Sequence, residues 1–493
     1  MYPSLEEVKK LAASGKYRRI PVMRTLYEDR YTTVEVLRRL RTASSQCFLL
    51  ESAERDQSWG RYSFLGYDPV LTMECRNGRL RIRRGKETGA EDIFTVSHPK
   101  EIIRRILADY RSPVISGFPS FTGGLVGYFS YDFIKYSEPS LRLETRENGD
   151  FPDLDLMLFD RVIVFDHYRQ SVLLIAGVEA DAAEASYQKA GDALDGMQEL
   201  LTSGPAAGFP PLQLRSELVP ACTEKEYSEM VEKAKRHILE GDIFQVVLSN
   251  PLTARAAGSI LDVYRVLRVT NPSPYMFYLT GDDLEIAGAS PETLAKLENG
   301  VVHTFPLAGT RPRGKTEEED RRLEEELRND EKELAEHNML VDLGRNDLGR
   351  VSRIGSVTVE TYQDILRFSH VMHIGSTVRG ILREDQDALD VIDAVLPAGT
   401  LSGAPKIRAC EIIEAEEHRK RGIYGGAVGY LDFSGNMDTC IGIRLAYKKG
   451  DQLCIQSGAG IVADSVPANE YRECLNKAQA VASAVKEAEG GLE

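Results

Sequence analysis

Two acidic pairs place carboxylates three residues apart, on one face of a helix: Glu333 and Glu336 in DEKELAEHNMLVDLGRNDLGR (330–350), and Glu470 and Glu473 in NEYRECLNKA (469–478). Carboxylates from two helices can hold a divalent cation, since Mg2+ needs only one or two and completes its octahedron with water and substrate oxygens. In a chain that is 28% charged, the same spacing also describes a solvated face. Glu292, in GASPET, is a single carboxylate at the end of an apolar run. Burial there would raise its pKa and suit it to general-acid work, and a cap or turn role is equally open. His370 and His373, in HVMH, have ligand-compatible spacing without a third His or Cys nearby, so a core histidine is the alternative.

Glycines and arginines make a second set. In SGAGIVADS (457–465), Gly458, Ala459 and Gly460 begin a G-x-G-x-x-A pattern, but Asp464, Ser465 and Pro467 delay the helix that a dinucleotide turn should open directly. The remaining readings are a glycine turn whose N–H groups approach a small anion, and a tight strand-end turn. FPLAGTRPRG (305–314) puts Arg311 and Arg313 beside a dense acidic run, and Arg side chains are local devices that can draw in an anionic substrate against the chain's net negative charge. No P-loop, G-x-S-x-G or H-E-x-x-H pattern appears.

The elements that must carry these residues read as α+β. A capping box at Ser4 and Glu7 starts a short helix, and TVEVLRRL and KEIIRRILADY continue the helical set. Asn77-Gly78 and Asn299-Gly300 mark hairpins, and strands return by hairpins rather than by regular strand–helix–strand steps, which predicts antiparallel sheets with flanking helices. A charged helix is expected from about 316 to 340 and a closing one from about 467 to 487. TSGPAAGFPPLQ is the best linker, dividing residues 1–202 from 222–493 across 203–221. GGLVGYF (123–129) and GGAVGYL (425–431) echo each other as two similar strand starts.

With 493 residues, 76 acidic against 61 basic side chains and a net charge of −15, the surface repels a phosphate backbone, so no nucleic-acid partner is expected. Seven scattered cysteines without a C-x-x-C pair predict a reducing cytoplasm and no structural zinc. The charged N-terminus and the lack of roughly 18 consecutive apolar residues predict neither a signal peptide nor a membrane span.

LLES, NPSPYMFYL, GASPE, PLAGTRPRG, DEKELAEHNMLVDLGRNDLGR, HVMH, LPAGTLSGAPK, GIYGGAVGY and QSGAGIVADSVPANEYRECLNKA run in order from residue 49 to 478. Together they resemble the large component (component I) of anthranilate synthase, within the chorismate-utilising enzymes. That resemblance implies amination of chorismate by ammonia and loss of pyruvate. It implies chorismate contacts from Gly309, Thr310, Tyr424, Arg444, Gly458, Ala459 and Gly460, with Mg2+ on Glu336 and Glu473 and with Glu333 and Glu470 nearby. Glu292 would be the acid that protonates the departing hydroxyl, and His373 would assist in acid–base chemistry. A glutamine amidotransferase small subunit would supply ammonia in an assembly of two large and two small subunits. L-tryptophan would inhibit from a pocket at Glu51, Ser52, Pro274, Tyr275 and Met276, making 1–202 the regulatory region and 222–493 the catalytic one.

Sister activities are separated by two plain residues. Isochorismate and salicylate synthases use a lysine where this chain has Gln245 in DIFQVVLS, and a neutral amide cannot activate water. Aminodeoxychorismate synthases commonly carry PIKGT where this chain reads PLAGT, and Ala308 cannot be a nucleophile. An aminodeoxychorismate synthase component I remains the alternative enzyme and an inactive scaffold the alternative to catalysis, although a scaffold has no need of Glu292, Glu336, His373, Arg444 and Glu473 together.

Overall fold

The computed structural model describes residues 1–53, 60–85, 91–141, 143, 151–367 and 371–492. Local signals set many of its boundaries. Ser4 and Glu7 form the reciprocal cap that opens the helix Leu5–Ala13, and Thr223 and Glu226 do the same for Glu224–Leu239. Asn77 and Gly78 (φ 49° and 76°) join Leu71–Arg76 to Arg79–Arg84, and Asn299 and Gly300 (φ 52° and 79°) join Thr293–Glu298 to Val301–Thr304. Two residues at positive φ match the right-handed twist of the paired strands.

The acidic run expected as one helix is two, Glu317–Arg328 and Glu331–Gly349. Asp330 breaks it, because its extended backbone lets the side chain accept from the N–H groups of Lys332 and Glu333 and so cap a new helix. The closing helix, Pro467–Glu487, has its proline at the first turn, where no N–H is needed.

Among the described residues the strands make two antiparallel sheets. The first, of 13 strands, runs in space through Arg19–Tyr27, Ser171–Glu179, Arg161–Asp166, Tyr62–Tyr67, Cys47–Glu51, Tyr275–Thr280, Leu284–Ser290, Leu445–Lys449, Gln452–Ile461 and Gln245–Ala257. The second, of 12, runs through Leu307–Pro312, Val371–Ile381, Val301–Thr304, Thr293–Glu298, Met437–Ile441, Ala427–Asp432, Gly124–Phe129 and Leu154–Phe159 to the hairpin at residues 71–84. An aromatic core containing Phe48, Phe64, Phe121, Phe159 and Phe277 fills the space between them. Helices cover both outer faces over two further cores, one including Leu37, Leu49 and Val481 and the other Met73, Ile103 and Ile392. The fold is thus α+β with antiparallel sheets and flanking helices, as the hairpin signals require.

Both sheets draw strands from either side of residues 203–221. In the first, Cys47–Glu51 pairs with Tyr275–Thr280, setting Glu51 opposite Met276; in the second, Gly124–Phe129 pairs with Ala427–Asp432, setting Gly127 opposite Gly429. The two echoing segments are therefore neighbours. A Cβ at Gly127 would lie 2.0 Å from Asp155 O and one at Gly429 2.1 Å from Asp438 O, so their shared pattern has a packing cause. Gly429→Ala should cost about 1–3 kcal/mol in urea unfolding through overpacking. Gly196→Ala, on an open helix face, should instead stabilise by about 0.5–1 kcal/mol. Equal effects of the two substitutions would refute the close-approach explanation.

Candidate active site

Glu292 occupies the short step between Leu284–Ser290 of the first sheet and Thr293–Glu298 of the second. Its carbonyl accepts from Ile441 N–H (2.9 Å), and Ser290 Oγ donates to Ile441 O (2.7 Å), so the step is tied to the second sheet. Thr400 Oγ1 donates to Glu292 Oε1 at 3.0 Å. Removal from water pushes the Glu292 carboxyl up to about 7, against the opposing pull of Thr400 and Arg444. Such a group holds its proton near neutrality and can deliver it.

Arg444 has a left-handed backbone (φ 50°), and its carbonyl accepts from Ala289 N–H, next to the strand end that leads to Glu292. No carboxylate among the described residues forms an ion pair with its guanidinium. Its charge acts on both Glu292 and His373, which places the three in one cleft.

His373 lies opposite Thr310 where Leu307–Pro312 pairs with Val371–Ile381. The register shifts at Gly309, whose φ of 67° and close neighbours, Leu327 Cδ1 at 2.9 Å and Glu333 Oε2 at 3.3 Å from a built Cβ, leave no room for a side chain. His373 Nδ1 is 2.9 Å from Gly309 O and 3.1 Å from Thr310 Oγ1. Donation from Nδ1 to the carbonyl leaves the basic lone pair of the neutral ring on Nε2, and burial lowers the His373 pKa. His370 lies outside the described residues.

The acidic pairs stand on Glu331–Gly349 and Pro467–Glu487. Glu336 and Glu470 are both raised above the usual carboxylate range, by burial first and by the neighbouring Glu333 and Glu473 respectively. Lys332 and Lys477 act on both, so the two helices face one cleft. Gln245, at the start of its strand, hydrogen-bonds Glu336. Glu473 is half exposed and salt-bridged to Lys477 at 2.8 Å. The four carboxylates are not gathered to one point; among the described residues, the one cluster of three ligand types within 4.8 Å is His237, Glu240 and Asp242, where Asp242 already pairs with His237 and Arg408. An all-oxygen donor set with desolvated, mutually repelling carboxylates fits a hard divalent cation, with Glu336 and Glu470 most in need of the countercharge.

Three expectations change with the structure. Gly458, Ala459 and Gly460 are not a turn but the end of the strand Gln452–Ile461, opposite Ser249, Leu248 and Val247. That strand pairs with Leu445–Lys449 only as far as Ile455, so from Gln456 onward its other edge has no strand partner among the described residues. A Cβ at Gly458 would lie 2.8 Å from the Tyr424 hydroxyl and one at Gly460 2.7 Å from Gln245 Nε2. The glycines bare one face of the strand to those groups, while Ala459 packs into the core behind. Arg311 and Arg313 do not await a ligand: Arg311 binds Glu326, Asp330 and Glu333, and Arg313 binds Asp320, because the capped helices bring these carboxylates back to them.

The third change concerns the cavity of about 370 Å³ between the sheets, whose lining includes Glu51, Ser52, Pro274, Tyr275 and Met276. Alternation along the strands turns the Glu51 and Met276 side chains towards the helical layer. There the Glu51 carboxylate accepts from Thr33 (2.7 Å), Tyr264 and Arg268 (3.1 Å), and Met276 is buried in the same core. Neither offers its side chain to the cavity as the sequence suggests. Tyr275 does: its hydroxyl donates to Asp438 (2.7 Å) and accepts from Thr293 (3.0 Å), the residue after Glu292. Thr400, Thr293, Asp438 and Lys477 were not singled out in the sequence, because nothing local distinguishes them and only the meeting of distant strands gives them partners.

The comparisons agree with this geometry. Residues 45–483 match the family model described as chorismate binding enzyme. The chain is 45% identical to anthranilate synthase component 1 of Acetivibrio thermocellus and 43% identical to that of Aquifex aeolicus, in both cases over 99% of each chain. The crystal structure of anthranilate synthase component I from Streptococcus pneumoniae superposes with a TM-score of 0.75 at 37% identity, covering 87% of this chain and 93% of that one. The chain belongs to the chorismate-binding enzymes and, within them, to the anthranilate synthase component 1 family.

The titration of Glu292 follows from its surroundings. Because the Thr400 hydroxyl stabilises the ionised form, Thr400→Val should move the Glu292 pKa upward from about 7, read by carbon NMR of a labelled carboxyl group. A downward or absent shift would remove Thr400 from that role.

Proposed function

We propose that this chain is the synthase subunit of anthranilate synthase: it aminates chorismate with ammonia and eliminates pyruvate to form anthranilate, the committed step towards L-tryptophan. The observation that carries the reading is a carboxyl group held near pKa 7 in one cleft with a buried histidine and an arginine that forms no ion pair among the described residues. Chorismate is a dianion, and Arg444, the Tyr424 hydroxyl and the open edge of the strand ending in Gly458–Gly460 are complementary donors for its carboxylates. Gly309 and Thr310 would border the ring from the opposite strand. Hydroxide leaves poorly, so protonated Glu292 gives its proton to the departing hydroxyl as ammonia adds, and water is released. The aminodeoxy intermediate then loses pyruvate and a ring proton, acid–base chemistry in which His373 would assist.

Glu336 and Glu473, with Glu333 and Glu470 beside them, would hold Mg2+, which when bound would supply charge neutralisation for a substrate carboxylate. Breaking the Lys477 pair would release Glu473 for that role. Gln245 beside Glu336 lacks the basicity to activate water, and Ala308 lacks a nucleophile, which favours direct attack by ammonia over the sister reactions. Ammonia would come from a glutamine amidotransferase small subunit, in an assembly of two large and two small subunits in the cytoplasm. No helix among the described residues is long and apolar enough to cross a membrane.

Purified chain incubated with chorismate, Mg2+ and ammonium at high pH should produce fluorescent anthranilate; chelation should stop it, and glutamine should replace ammonium only when the small subunit is added. Formation of 4-aminodeoxychorismate instead would move the assignment to the sister enzyme, and unchanged chorismate would leave only a scaffold.

Regulation by L-tryptophan is supported by the cavity between the sheets. Its volume is within the roughly 300–1,000 Å³ of small-ligand sites, and Tyr275 reaches from its wall to Thr293, one residue from Glu292. A ligand that reorients Tyr275 would thereby disturb the acid, and chorismate would weaken tryptophan binding by the same factor. Ser52→Phe should relieve inhibition while sparing uninhibited turnover. Thr293→Val should leave tryptophan bound, by calorimetry, but uncouple it from the rate; full inhibition in that variant would break the proposed link.

A further inference from the structure

Arg421 is the largest fully buried side chain among the described residues, and it lies behind the cleft rather than in it. Its guanidinium donates to Glu417 through Nε (2.9 Å) and Nη2, to Leu401 O through Nη1 (2.6 Å) and to Val247 O through Nη2 (2.7 Å). Glu417, equally buried, also accepts from the N–H (2.8 Å) and hydroxyl (3.0 Å) of Ser249, whose hydroxyl in turn accepts from Gln456 Nε2 (2.8 Å). The guanidinium carbon is 4.6 Å from the centre of the Tyr131 ring and 5.6 Å from that of Tyr424.

The main-chain partners of this pair, and Tyr424, adjoin groups the reaction site uses. Leu401 follows Thr400, which donates to Glu292. Val247 and Ser249 lie opposite Gly460 and Gly458. Tyr424 carries the hydroxyl that a Cβ at Gly458 would meet at 2.8 Å. Stability does not account for such a pair, since exchanging a buried ion pair for well-packed apolar residues is often neutral or stabilising. A cation fixed over a phenol ring draws electron density from it and strengthens its hydroxyl as a donor to an anion.

We propose that Glu417 and Arg421 are a positioning pair for the reaction site: together they lock the Thr400 segment, the glycine strand and Tyr424 into one geometry, and Arg421 strengthens the Tyr424 hydroxyl as a donor to a substrate carboxylate. The inference rests on the reading of the cleft as a chorismate-amination site.

A double-mutant cycle tests it. Glu417→Leu/Arg421→Met removes both charges and keeps apolar volume; it should still unfold cooperatively while kcat with ammonium falls about 100-fold, the scale of a small misplacement of reacting groups. In a Tyr424→Phe background the same double substitution should cost distinctly less, because part of its effect acts through the hydroxyl already removed. Arg421→Lys keeps a charge but loses the planar fork and should fall between wild type and the double variant; if the double variant does not fold, this substitution carries the same cycle. Equal losses with and without the Tyr424 hydroxyl, or an unchanged kcat in the folded variants, would overturn the proposal. Wild-type protein run alongside separates the two readings: no anthranilate from wild type sinks the amination reading, whereas product from wild type with an additive cycle sinks only the pair.

Discussion

Main-chain pairing across two seams is the constraint on which the rest of the structure depends. Cys47–Glu51 against Tyr275–Thr280 and Gly124–Phe129 against Ala427–Asp432 each join a strand from the first part of the chain to one from the second. The strands that present Glu292, Arg444 and the glycines lie beyond those seams, and the cavity at Tyr275 lies beside the first of them. A one-residue slip at that seam would turn Phe48 and Leu50 out of the inter-sheet core and Glu51 into it. The Glu51 carboxylate guards against this, because away from Thr33, Tyr264 and Arg268 it would be a buried, unpaired charge.

Desolvation supplies the chemistry on this frame. The chain carries a net charge of −15, yet the cleft holds Arg444 without an ion-pair partner among the described residues, and it holds Glu292, Glu336 and Glu470 with pKa values raised by burial. Glu292 differs from the others in its company. A hydroxyl and a guanidinium temper its rise, whereas Glu336 and Glu470 each sit beside another carboxylate, which favours either a proton or a metal ion. Environment thus sets Glu292 apart from Glu336 and Glu470, which are of the same residue type.

What the sequence made legible follows from how local each signal is. Capping boxes and Asn-Gly turns act over four residues or fewer, and the helix at Leu5–Ala13 and both hairpins formed where those signals lie. The interruption at Asp330 was hidden because charge periodicity runs through it, and only the side chain's hydrogen bonds to the next two N–H donors show a new start. The glycines at 458 and 460 looked like a turn because glycine usually marks one; here they spare space for Tyr424 and Gln245, neighbours supplied by distant segments. Arg311 looked available for the same reason, since its three carboxylate partners lie 15 to 22 residues along the chain. The motifs identified the cleft's residue types, while pairing with remote strands determined which side chains face it.

The central claim is that Glu292 is the acid of an amination and not merely a buried carboxylate, and Glu292→Gln tests it most directly. The amide keeps the shape and the Thr400 contact but has no proton to give to a leaving hydroxyl. With chorismate, Mg2+ and ammonium, single-turnover product formation should fall by about 100- to 10,000-fold, while chorismate binding measured by calorimetry stays nearly unchanged. Product formation close to the wild-type rate in a variant that binds chorismate normally would contradict the account.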